Sequence, residues 1–142
     1  MKKASWIVLA VTGVALLVLS LVSAGHAYNT DDNYRIAGTS VSEVASAREA
    51  VASGLRGIRG TSAAFATAYG VLFLAIVLGP YRRGEVWAWW ALFAGSVTVL
   101  AVILPRIAFL DTTLGNSAGN LQFGWTMAGL LLDVRRLWPS GQ

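Results

Sequence analysis

Few residues in this chain have the type and spacing to do chemistry. His26 is the only histidine, and a lone imidazole can ligate a haem or a chlorophyll; the plainer reading is a polar residue at a helix end. The carboxylates Glu85 and Asp133 each stand beside an arginine pair, Arg82–Arg83 and Arg135–Arg136, where local charge compensation accounts for them. There is no cysteine, which excludes disulfides, thiolate metal sites and cysteine nucleophiles. A zinc site needs three or four N, S or O ligands, and no cluster supplies them. No phosphate-cradling glycine loop, dinucleotide fingerprint, Ser–His–Asp set or carboxylate pair is legible. The sequence therefore names no catalytic and no metal-binding residue. For a bound lipid, quinone or pigment the candidate contacts are His26, Tyr69 and Trp125, with Phe65, Phe73 and Phe93 as further aromatic lining.

The elements that would have to position these residues are membrane helices. The chain is 56% hydrophobic and 13% charged, about half the charge of a soluble domain. Its net charge is +4, but the cations stand in pairs beside apolar runs. That placement fits orientation in a bilayer rather than a nucleic-acid partner. The reading is all-α: a single integral domain, a four-transmembrane-helix bundle with spans at about 4–24, 61–79, 86–104 and 117–137. A helix needs about 20 apolar residues to cross. The first run is too long for a signal-peptide core of about 7–15 residues, so a retained helix is expected. The fourth is strongly apolar only from Leu121 to Leu132.

Between spans one and two, residues 26–38 read as a loop, and an additional amphipathic helix is expected at about 40–57. Ser40 and Glu43 have capping-box spacing, and Val41, Val44, Val51, Leu55 and Ile58 recur with helical period. Gly54, Gly57 and Gly60 are expected to loosen its end and allow a bend. Within the spans, Ala64 with Ala68 and Ala66 with Gly70 make small-xxx-small pairs that bring helix backbones close. The polar residues Thr12, Ser20, Thr67, Tyr69, Ser96, Thr98, Gln122 and Thr126 read as interhelical hydrogen-bonding groups. Pro80 is expected to stop the second span, Gly84 to permit a turn, and Glu85 to open the third.

The charge pairs set orientation. Lys2–Lys3, Arg82–Arg83 and Arg135–Arg136 fall on one side of four crossings, which the positive-inside rule makes cytoplasmic, with both termini inside. Trp6, Trp87, Trp89, Trp90 and Trp138 lie near the same face and read, with those arginines, as interface anchors. The stretch Tyr81-Arg82-Arg83-Gly84-Glu85-Val86-Trp87-Ala88-Trp89-Trp90 resembles a turn that recurs in small bacterial four-helix integral membrane proteins. That resemblance implies no reaction. The layout is also similar, distantly, to four-span sterol-isomerase-like domains, which are expected to hold ionisable residues within the bundle, and this chain departs from them there. The expected function is a structural or accessory subunit of a larger complex in the cell (inner) membrane, or a homo-oligomer. The alternative is a module that binds a lipophilic small molecule.

Overall fold

The computed structural model describes residues 4–29, 35–36, 39–105 and 116–134. It is helical throughout, apart from a two-residue antiparallel pairing of Arg35–Ile36 with Thr39–Ser40. The helices are α1 (Ala4–Tyr28), α2 (Val41–Ala47), α3 (Glu49–Ile76), a π-helical turn (Val77–Tyr81), α4 (Val86–Ile103) and α5 (Asn116–Leu131). The chain gathers into two compact units, one of residues 1–14 with 72–142 and one of residues 15–71. Both α1 and α3 contribute to each unit.

Three helical stretches are long and apolar enough to cross a membrane: Ala4–Tyr28, Glu49–Tyr81 and Val86–Ile103. These apolar helices are those of a protein embedded in lipid. The 16-residue α5 extends about 24 Å, short of a hydrocarbon core of about 30 Å.

In the unit of residues 15–71, α1 and α3 run antiparallel. Ser20 Oγ donates to its own helix at the Leu17 carbonyl and so can accept from Thr67 Oγ1 at 2.9 Å. Farther along, Arg59 Nε donates to Ser23 Oγ at 3.2 Å. A Cβ added at Gly70 would meet Leu17 Cδ2 at 2.9 Å, and one at Gly60 would meet the Tyr28 hydroxyl at 3.2 Å. The close face of α3 is thus Ala63, Thr67 and Gly70, while Ala64, Ala66 and Ala68 stay exposed. Of the expected small-residue pairs, only Gly70 lies on the buried side.

The amphipathic helix forms in two pieces. Ser40 and Glu43 make the full capping box: Glu43 N donates to Ser40 Oγ at 3.2 Å and Ser40 N to Glu43 Oε2 at 2.8 Å. Arg48 then turns extended (φ −155°, ψ 96°). Its N–H closes α2 on Val44, and its carbonyl opens α3 by accepting from Val51 and Ala52. No proline or glycine marks this break. Through Gly54, Gly57 and Gly60, where a bend is expected, α3 continues without a break into the second span.

In the other unit, three glycines receive branched side chains. A Cβ at Gly13 would lie 2.6 Å from Leu74 Cδ2, one at Gly129 2.7 Å from Leu9 Cδ2, and one at Gly119 2.7 Å from Ile103 Cδ1. Lipid tails are as apolar as leucine, so close packing of this kind, rather than hydrophobic burial, holds such helices together.

Candidate functional site

Several cross-helix hydrogen bonds gather around the turn that joins α3 to α4. Pro80 does not stop the helix. It is absorbed in the π-turn Val77–Tyr81, and the Arg82 N–H still reaches the Gly79 and Val77 carbonyls. The wider π-turn accommodates a residue that lacks an N–H. The stop comes at Gly84, with φ 89°. Gly84 N donates to the Tyr81 carbonyl and Glu85 N to the Pro80 carbonyl, which together make a Schellman closure. Glu85 caps α4 with extended backbone and no side-chain cap bond. Its carboxylate instead meets Arg83 Nε at 3.1 Å and accepts from Trp87 Nε1 at 2.6 Å.

The π-turn carries Tyr81 inward, where it is 1% exposed. Ser5 Oγ donates to the Gly129 carbonyl at 2.8 Å. With its single proton committed there, Ser5 accepts from the Tyr81 hydroxyl at 2.6 Å. The chain Tyr81–Ser5–Gly129 therefore ties the π-turn, α1 and α5 together. Beside it, Arg82 Cζ lies 5.0 Å from the Trp6 ring centroid, within cation–π range. Trp89 Nε1 donates to the Leu130 carbonyl at 3.2 Å, and Asp133 is buried close after the end of α5.

The hydrogen bonds of this node position three helical segments against one another. Ser5 touches a phenol and an amide carbonyl, and neither takes a proton near neutral pH. Among the described residues no group of three or more His, Asp or Glu is placed to hold a metal.

The expected anchors divide by burial. Trp87 and Trp90 are exposed, and Arg83 is likewise open. Trp6 and Trp89 are half-buried packing residues; Trp89 stacks on Phe93 at 5.3 Å. Arg135, Arg136 and Trp138, with Lys2 and Lys3, lie outside the described residues.

The ligand candidates are distributed over both units. His26 is half-buried in the last turn of α1, and Tyr69 is half-buried on α3 in the same unit. Phe65 is exposed there. In the other unit Trp125 is 55% exposed and Phe73 is buried. Phe93 packs with Trp89 and Trp90. A shallow groove of about 340 Å³ does form at the α2–α3 break, lined by Thr39, Glu43, Val44, Ala47, Arg48 and Val51.

The hydroxyls within the spans have three fates. Thr67 reaches across to Ser20 as expected. Thr12 and Thr98 bond instead to carbonyls of their own helices, Val8 and Ala94. Ser96 Oγ and Thr126 Oγ1, like the amide Nε2 of Gln122, have no protein partner. Sequence reasoning missed Ser5 and Gly129; the only signal for Ser5 was a lone hydroxyl in an apolar run. Comparison of the chain with protein-family models, with curated proteins and with solved structures finds no match.

Proposed function

We propose that this protein is a structural or accessory subunit of a larger assembly in the cell (inner) membrane, without chemistry of its own. The observation that carries the reading is an outward face of α3. Gly54, Gly57, Thr61, Ala64, Ala68, Leu72 and Ala75 recur at spacings of three and four, and all are exposed. Small residues on one helix face let another helix approach closely, and in lipid that packing is the main source of association. The three candidate spans bury only 22%, 22% and 17% of their apolar windows within the protein, which leaves ample surface for lipid and for partner helices. The exposed apolar residues Val51 and Ile58 extend the same opportunity to the start of α3.

In the same proposal α5 and the residues after it make a fourth crossing. Both termini and the Arg82–Arg83 turn then face the cytoplasm, and α2 lies on the outer side. An arginine-rich turn at the inner surface agrees with the positive-inside rule, and the resemblance of that turn to small four-helix bacterial membrane proteins fits the same layout.

The association is tested by purifying the full chain in mild detergent and measuring its mass. The wild-type protein is expected to run as an oligomer or with a co-purifying membrane protein. An Ala64→Leu/Ala68→Leu variant should dissociate while remaining helical, because both positions are exposed within the protein itself. A clean wild-type monomer counts against the reading. Orientation is tested with Gly25→Cys, in a chain with no other cysteine; labelling by an impermeant thiol reagent is expected from outside, and labelling from inside alone reverses the topology.

A further inference from the structure

Three buried polar atoms, Ser96 Oγ, Gln122 Nε2 and Thr126 Oγ1, have no hydrogen-bond partner. Ser96 is 1% exposed and Thr126 is 0% exposed. They belong to α4 and α5, which pack against each other, and they fall at one level. Trp89 touches the Leu130 carbonyl, and Ile103 lies over Gly119, so the two helices run antiparallel. Ser96 is seven residues from each of Trp89 and Ile103 and so shares their stripe on α4. It therefore faces α5 midway between Leu130 and Gly119, at the level of Gln122 and Thr126, which are themselves one turn apart on one face.

Serine and threonine in membrane helices commonly turn back onto a carbonyl of the preceding turn, as Thr12 and Thr98 do here. Ser96 and Thr126 do not; their hydroxyls are buried without a partner. At this depth lipid offers no hydrogen bond. Neither helix carries an Asp, Glu, Lys, Arg or His, so the set is neutral. It combines an amide that donates with two hydroxyls that donate or accept.

We propose that Ser96, Gln122 and Thr126 form a binding site in the α4–α5 seam for an uncharged oxygen, supplied by the carbonyl or hydroxyl head of a lipophilic molecule or by a water. An amide N–H and two hydroxyls can each donate to the lone pairs of such an oxygen, and a charged head would meet no counter-ion. The site does not depend on the accessory-subunit reading, since none of its residues lies on the outward face of α3.

The test uses the full chain in mild detergent, with decylubiquinone as the carbonyl probe. If a lipophilic head occupies the site, the quinone raises the thermal midpoint of the wild-type protein, and Thr126→Val weakens the apparent affinity about tenfold, the equivalent of one lost hydrogen bond. Thr126→Ser keeps the affinity. Thr98→Val leaves it unchanged, because that hydroxyl is already tied to the Ala94 carbonyl. If water occupies the site, the quinone has no effect, and infrared spectra in H2(18)O show an isotope-sensitive buried O–H band that Thr126→Val removes. The proposal is overturned if the wild-type protein shows neither response, or if Thr126→Val and Thr98→Val behave alike.

Discussion

The Tyr81 hydroxyl donates to Ser5 Oγ at 2.6 Å across a sequence separation of 76, and Ser5 Oγ in turn donates to the Gly129 carbonyl. One serine thereby fastens the π-turn and α5 to α1. In a membrane interior such bonds are worth about 0.6 kcal/mol on average and at most about 1.7 kcal/mol.

Tyr81→Phe removes one bond of this chain and Ser5→Ala removes both. We expect Tyr81→Phe to lower stability by about 1 kcal/mol and Ser5→Ala by more, measured by unfolding of the purified protein in detergent. Ser5→Ala as stable as the wild-type protein would show that the node contributes nothing.

Gly129 and Gly124 lie five residues apart on α5 in opposite situations. A Cβ at Gly129 would lie 2.7 Å from both Leu9 Cδ2 and Leu9 Cγ, whereas one at Gly124 meets nothing within 4 Å. Gly129→Ala should therefore destabilise by about 1–3 kcal/mol through overpacking. Gly124→Ala should be neutral or slightly stabilising, by the helix preference of alanine. Equal thermal midpoints for the two variants would contradict the packing of α1 on α5.

The capping box of α2 makes its stability depend on pH. The Glu43 carboxyl is held below its ordinary value of 4.5, chiefly by the Ser40 backbone N–H and secondly by the Ser40 hydroxyl. Because the folded pKa is the depressed one, the contribution is fully present above pH 4.5 and fades as pH falls through the folded value. Amide hydrogen exchange in Val41–Ala47 should quicken, relative to its intrinsic rate, on acidification below that range. In Glu43→Gln this pH dependence should disappear. Its persistence in the variant would assign it to another group.

Much of this protein was legible in its residues. The first and third spans, the capping box and the turn at Gly84 follow from local rules: apolar length, the Ser40–Glu43 spacing, and a left-handed position that only glycine takes easily. Other expectations failed where the outcome depends on what a helix packs against. Pro80 promised a stop, but a π-turn carried the helix past it. Ala64 and Ala68 promised the close contact, yet Leu17 seats on Gly70 and leaves those alanines outward. Arg48 breaks the amphipathic helix although nothing at that position announces a break.

The sequence by itself determined that this is a helical membrane protein and where its chain can turn, because hydropathy and backbone preference are properties of each residue and its near neighbours. Only the tertiary structure decided which glycines receive leucines, that Ser5 joins Tyr81 to Gly129, and that Ser96 and Thr126 are buried without a hydrogen-bond partner on two helices that pack together. These placements depend on helix rotation and register. An apolar helix looks much the same on every side, so its composition carries little information about either.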